Sequence, residues 1–214
     1  MLQKLLTQGL QALNLQLTSS ETQKLASFVL LLEKWNQAYN LTAVRDPLQM
    51  VTRHILDSLA IAPFVRGPRV LDIGTGAGLP GIPLAVVAPE QEFVLLDSNA
   101  KKTQFVTQAV GILGLKNVKV VQERVEKYQP AQKFDTLITR AFAGIADMLS
   151  GAGHLCNARG QFLAMKGVYP QEEIAGMPAG FQLDKTEALH VPGLDGARHL
   201  VIIRPQEAPQ QITK

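Results

Sequence analysis

The residues with the most chemistry in them are two aspartates and the glycines between them. Val70-Leu71-Asp72-Ile73-Gly74-Thr75-Gly76-Ala77-Gly78-Leu79-Pro80-Gly81 reads as a short strand running into a glycine-rich turn and then a helix, and a second acid, Asp97, ends the next apolar run. Glycines so spaced let a ligand approach the backbone, because no Cβ intervenes and unusual φ values are open to them. Gly74, Gly76 and Gly78 form one such series, and Gly76, Gly78 and Gly81 form a G-x-G-x-x-G, so spacing alone admits either a dinucleotide or a nucleoside without phosphate. The acids separate the two. A carboxylate at Asp72, closing a strand, suits an ammonium group and repels a diphosphate, while Asp97 at the next strand end is placed to accept hydrogen bonds from ribose hydroxyls. S-adenosylmethionine has the ammonium and the ribose and lacks the phosphate, so methyl transfer is the expected chemistry. NAD(P)-dependent oxidoreduction and a non-catalytic nucleotide-binding module are the alternatives from other classes.

Those residues need elements to hold them. Leu2, Leu5, Leu6, Leu10 and Leu13 recur at helical spacing; Leu25, Phe28, Val29, Leu32 and Trp35 mark a second helix, with Ser20 as its cap and Gln23 completing a capping box. Asp46-Pro47 starts a third, and Asn40 is expected to end the second in a left-handed conformation. Residues 1–65 therefore read as an N-terminal helical extension. After Arg66-Gly67-Pro68 the pattern changes to short apolar runs, Val70–Ile73, Phe93–Leu96, Val118–Val121, Thr136–Thr139, Phe162–Met165 and Leu200–Ile203, with helix-length segments between the first four. This alternation implies an α/β, doubly wound, mostly parallel sheet over residues 66–205, which with the loop and acids above is expected to form a Rossmann-like class I methyltransferase core. A further strand within Phe181–Val191 and an antiparallel return of Leu200–Ile203 at the sheet edge complete it, and residues 206–214 are expected to form a flexible tail.

Composition narrows the setting. In 214 residues, 46% hydrophobic content beside only 18% charged side chains is enough to build a core and excludes a chain unfolded over most of its length. The net charge of +3 is a mild basic bias, compatible with a polyanionic partner. The single cysteine, Cys156, permits no intrachain disulfide, and four histidines, His54, His154, His190 and His199, are scattered without metal-ligand spacing. Polar residues interrupt the first 17 positions, so no signal peptide is read there, and Phe28–Leu32 is far too short to span a bilayer. A cytoplasmic, metal-free monomer is expected.

Longer stretches are similar to one family. Asp72–Pro83 resembles the cofactor loop of the ribosomal RNA small subunit methyltransferase G family, also called the glucose-inhibited division protein B family. So do the segments 35–46 (Trp-Asn-Gln-Ala-Tyr-Asn-Leu-Thr-Ala-Val-Arg-Asp), Arg53-His54-Ile55-Leu56-Asp57-Ser58, Arg124-Val125-Glu126, Thr139-Arg140-Ala141-Phe142 and Gly196-Ala197-Arg198-His199-Leu200, in the expected order along most of the chain. The resemblance implies S-adenosylmethionine-dependent methylation of guanine N7 in the decoding-region loop of bacterial 16S ribosomal RNA, free or in an assembling small subunit. It also implies that Gly74 and Leu79 line the cofactor, that Val125 and Glu126 hold its adenine end, and that Arg140 sits near its methionine end.

Elimination among methyltransferase chemistries agrees. Carbon-5 methylation of a pyrimidine needs a cysteine nucleophile, whereas Cys156 falls at an apparent helix end and reads as a small buried hydrophobe. Exocyclic-amine enzymes resemble one another in an Asn-Pro-Pro-Tyr-like loop, and Thr139-Arg140-Ala141-Phe142 stands in its place. Guanine N7 carries an exposed lone pair and needs no general base, so alignment is the task. Arg140 has two readings, substrate positioning through a guanine O6 or a phosphate, or a salt bridge to Asp72 or Asp97; Phe142 either stacks on an extruded base or packs behind the fourth strand. Arg124, Lys166 and Arg198 follow strand ends and form a positive rim expected to contact RNA, while Lys101 and Lys102 read as solvated surface and Arg53, His54 and Asp57 as a helix-surface network. A methyltransferase acting on a small molecule stays open as an alternative.

Overall fold

The computed structural model describes residues 1–140 and 144–206. Two amphipathic helices, α1 (Leu2–Ala12) and α2 (Ser19–Tyr39), open the chain. The cap of α2 is Thr18 rather than Ser20. Glu21 is the deciding residue: its carboxylate accepts from the Thr18 amide at 2.7 Å and hydroxyl at 2.8 Å, while Thr18 Oγ1 accepts from the Glu21 amide at 3.2 Å. A charged acceptor at the positive end of a helix outcompetes the neutral Gln23 of the alternative box. Asn40 ends the helix at φ 48°, ψ 51°, the left-handed cap expected of it.

Asp46 caps α3 (Pro47–Met50) by accepting from the Leu48 amide, after which the helix widens into a π-helical turn over Val51–Leu56 and closes as α4 (Asp57–Leu59). The widening matters, because spacings of three and four along an α-helix do not describe neighbours in a turn bonded i to i+5.

The sheet contains β1 (Arg69–Ile73), β2 (Glu92–Asp97), β3 (Val118–Gln122), β4 (Phe134–Thr139), β5 (Cys156–Lys166), β6 (Phe181–Ala188) and β7 (His199–Pro205) in the order β3-β2-β1-β4-β5-β7-β6. The first five pair in parallel; α5 (Gly81–Val87), α6 (Ala100–Leu113) and α7 (Ile145–Ala152) follow β1, β2 and β4, whereas β3 and β4 are linked by only a 3-10 turn at Val125–Lys127 in place of the helix expected there, and α8 (Gln171–Ala175) precedes β6. β7 is antiparallel, as expected, but it lies inside the sheet between β5 and β6 instead of at the edge. Leu200, Val201, Ile202 and Ile203 are all buried, so both faces of that strand need cover, while β6, with Gln182, Asp184, Lys185 and Glu187, tolerates the exposed edge.

Strand alternation divides the interior in two. Val70, Phe93, Leu95, Ile138, Leu163 and Ile202 face one side, in one apolar cluster with Leu6, Leu25, Phe28 and Leu32 of the N-terminal helices and Phe105 of α6. Leu71, Val94, Leu137, Phe162 and Val201 face the other, against Met148 and Leu149 of α7. Phe28 and Trp35 lie 6.3 and 5.5 Å from the Phe105 ring, so residues 1–65 share their core with the sheet. Cys156 opens β5 after a short 3-10 turn, and burial pushes its thiol up to about 12, which suits a packed hydrophobe and not a nucleophile.

Candidate active site

Everything of chemical interest lies along the edge where the parallel strands end. Its first half is a cleft of about 200 Å³ lined by Ile73 and Gly74 after β1, Leu96, Asp97 and Ser98 after β2, and Glu123, Arg124, Val125 and Glu126 after β3. Gly74 has φ +66°, and a Cβ built there would meet nothing within 4 Å, so the backbone conformation requires glycine and the space before it is open. Asp97 stitches the cleft together: Oδ2 accepts from the Gly76 amide at 2.9 Å and Oδ1 from the Asn99 amide at 2.8 Å. Each oxygen has a second lone pair, which suits the ribose acceptor expected of it.

Asp72 lies beneath the glycine loop, almost wholly buried. Its Oδ2 accepts from Thr75 Oγ1 at 2.6 Å and from the Gly81 amide at 2.9 Å, while Oδ1 has no hydrogen-bond partner among the described residues. Burial raises its carboxyl to about 6, against the pull of those two donors. It does not line the cleft, so its first effect on the ligand is indirect. The Gly81 amide opens α5, the position where a dinucleotide's diphosphate would bind, and Asp72 already occupies it. A Cβ at Gly81 would collide with Leu95 and press on Asp72, which is why this turn needs glycine a fourth time. Gly78 turns the loop through its amide bond to the Thr75 carbonyl, and Leu79 is buried in the larger apolar cluster rather than in the cleft wall.

The second half is a pocket of about 340 Å³ lined by Arg140 after β4, Met165, Lys166 and Gly167 at the end of β5, Arg198 before β7, and Val44, Arg53, His54 and Asp57 from the helical side. Asp57 is its organising residue. Its buried carboxylate accepts from Arg198 Nε at 2.9 Å through Oδ1 and pairs with Arg140 Nη1 at 3.8 Å through Oδ2. Burial raises the Asp57 pKa and the two arginines draw it down; burial lowers that of Arg140, with Asp57 and then Asp72 opposing. Arg140 is thus paired, but with Asp57 and not with Asp72 or Asp97.

The helix-surface network expected of Arg53, His54 and Asp57 does not form. His54 and Asp57 are buried, and the π-helical turn replaces the spacing on which that expectation relied. His54 Nδ1 lies 2.9 Å from the Arg53 carbonyl, which can only accept, so Nε2 accepts from Thr42 Oγ1 at 2.8 Å. Burial and Arg140 lower its pKa to about 4, leaving a neutral ring with both nitrogens engaged. Thr42 is held in turn by Asn36, whose Oδ1 accepts the Thr42 amide at 2.8 Å and whose Nδ2 donates to the Val44 carbonyl at 3.1 Å.

Of the three cations expected on the RNA rim, Lys166 and Arg198 line this pocket and Arg124 lines the cleft. Lys166 Nζ is bound 2.7 Å from Glu173 Oε2, which also accepts the Ile145 amide at the start of α7. Sequence reasoning missed Arg53, His54 and Asp57 as pocket walls. A signal existed: Val51, Ile55, Leu56 and Leu59 leave that helix apolar on most sides, the mark of a buried helix. Phe142 lies outside the described residues. Among those residues no group of three or more His, Cys, Asp or Glu is placed to hold a metal, and no helix is long and apolar enough to cross a membrane.

A sheet ordered 3-2-1-4-5-7-6 with its site at the strand ends on both sides of the β1/β4 switch defines the class I methyltransferase fold. Solved structures agree on the fold: a SAM-dependent methyltransferase from Aquifex aeolicus superposes with TM-score 0.59 over 74% of this chain and 93% of its own at 19% identity, and TrmN from Thermus thermophilus with TM-score 0.57 over 73% and 53% at 18%. The family follows from sequence. The profile described as rRNA small subunit methyltransferase G matches residues 21–201, and the chain belongs to that family. Proteins named ribosomal RNA small subunit methyltransferase G from Nitrosococcus oceani and Shewanella amazonensis are 52% and 54% identical, over 96% and 94% of this chain and 96% and 98% of theirs.

Proposed function

We propose that this chain transfers a methyl group from S-adenosylmethionine to N7 of a guanine in the decoding-region loop of bacterial 16S ribosomal RNA, acting as a cytoplasmic monomer. The observation that carries the reading is the placement, on either side of the β1/β4 switch, of a cleft of about 200 Å³ whose helix N-terminus is closed to phosphate and a pocket lined by four cations, Arg53, Arg140, Lys166 and Arg198. A single chain supplies both halves, so no second copy is needed.

The cleft suits the donor. Asp97 would accept the ribose hydroxyls, Val125 and Glu126 would flank the adenine, Gly74 leaves the backbone bare, and Arg140 would face the methionine end. Bound there, the donor would supply an electrophilic sulfonium methyl. The pocket suits an acceptor that needs no base. Neutral His54 has both nitrogens committed and Asp57 is shared between two arginines, so neither is free to withdraw a proton. Guanine N7 presents a lone pair on the major-groove edge and loses no proton on methylation, so the pocket's work is to position the base.

Incubation with labelled methyl donor and 16S ribosomal RNA lacking the modification, followed by mapping of the labelled nucleotide, tests the reading. A single N7-methylated guanine is expected. Label appearing only in small molecules would overturn it, as would calorimetry showing tight NADH binding and no adenosylhomocysteine heat.

A further inference from the structure

The cations of the pocket are not equivalent. Three of the four are answered by carboxylates: Arg198 and Arg140 share Asp57, and Lys166 is bound to Glu173. Arg53 is exposed, lines the same pocket, and among the described residues its side chain makes no hydrogen bond or ion pair. Its backbone is fixed, however. The Arg53 carbonyl holds the His54 ring at 2.9 Å within the π-helical turn, and His54 is tied to Thr42, so the base of the arginine is rigid while no described residue claims its head.

We propose that Arg53 forms a phosphate subsite at the mouth of this pocket, taking a phosphodiester oxygen of the RNA beside the target nucleotide. This rests on the RNA reading given above. A phosphate reaching Arg198 or Arg140 must compete with Asp57, and one reaching Lys166 must compete with Glu173, so each of those contacts exchanges one anion for another. At Arg53 no described residue has to be displaced, only water and counterions, and its planar fork matches two phosphate oxygens. The charge felt by the RNA backbone is therefore concentrated at Arg53, while the paired cations serve as a rigid, partly neutralised wall.

The dependence of binding on salt reads this directly, because each phosphate contact to a single strand contributes about 0.7 to the slope of log affinity against log salt. Binding of unmodified 16S ribosomal RNA is measured across a salt series for the wild type, Arg53→Gln and Arg53→Lys, with adenosylhomocysteine affinity and thermal melting measured alongside. Arg53→Gln is expected to reduce the slope by about 0.7 and to weaken RNA binding several-fold at low salt. Cofactor affinity and melting should stay at the wild-type level, and Arg53→Lys should recover the slope. An unchanged slope in Arg53→Gln overturns the subsite, and so does a Lys variant that fails to recover it or a Gln variant that loses cofactor binding and stability together. A wild-type enzyme that methylates no RNA would instead overturn the functional reading, independently of how Arg53 behaves.

Discussion

The two halves of the strand-end edge are built by opposite means. The cleft is shaped by backbone amides and two acids: Asp72 holds Thr75 and Gly81 within nine positions of itself, and Asp97 reaches the Gly76 amide 21 positions back. In the pocket, side chains brought from distant elements hold one another, and the Asp57–Arg198 bond joins residues 141 positions apart. A cleft of the first kind is stiff by local geometry and tolerates change beyond its loop. A pocket of the second kind depends on the whole fold, and removing one member leaves a buried charge unanswered.

The largest effect is expected where the halves meet. Arg140→Ala removes a group expected at the donor's methionine end and also leaves Asp57 with one partner, so methylation should fall by about a hundredfold or more, with both substrates bound less well. Steady-state kinetics with each substrate varied separates this from damage to one half alone; an effect on RNA only would place Arg140 wholly in the pocket. Next comes Asp97→Ala, which removes the acceptors proposed for the ribose and frees the Gly76 amide, and a loss of about 1.5–3 kcal/mol in donor affinity is expected. Retained affinity would show that the ribose is held elsewhere. Arg198→Ala should lower RNA methylation about tenfold by releasing Asp57 from its closest partner.

The effect most remote from catalysis is on stability against pH. Neutral His54, with its pKa lowered to about 4 from 6.5, favours the fold above pH 6.5 and withdraws that support as pH falls toward 4, by about 3 kcal/mol at most. Asp72 runs the other way: with a carboxyl raised to about 6, it favours the fold below its unfolded value and loses that contribution as pH rises to 6. Denaturant titrations of His54→Gln should therefore show less loss of stability on acidification than the wild type. A wild-type slope in the variant would mean that another group controls the acid limb.

The same contrast explains what could be read from sequence. Strands β1 to β5 and the glycine loop announce themselves because their signals are local: β-length apolar runs, glycines where a Cβ is excluded, acids at strand ends. The cap of α2 was displaced by two residues because two boxes overlap and only the charge of Glu21 decides between them. The place of β7 inside the sheet was already implied by four successive apolar residues, a pattern that asks for cover on both faces. The Asp57 cluster was illegible because no local rule connects residues 57, 140 and 198, and because a π-helical turn sets aside the spacing used to pair Arg53, His54 and Asp57.

The division of labour between cleft and pocket is tested most directly by adenosylhomocysteine affinity, measured by calorimetry side by side in Asp97→Ala and Arg198→Ala. Affinity should drop in Asp97→Ala and stay at the wild-type value in Arg198→Ala. Equal losses in both variants would contradict a donor cleft that stands apart from an RNA pocket.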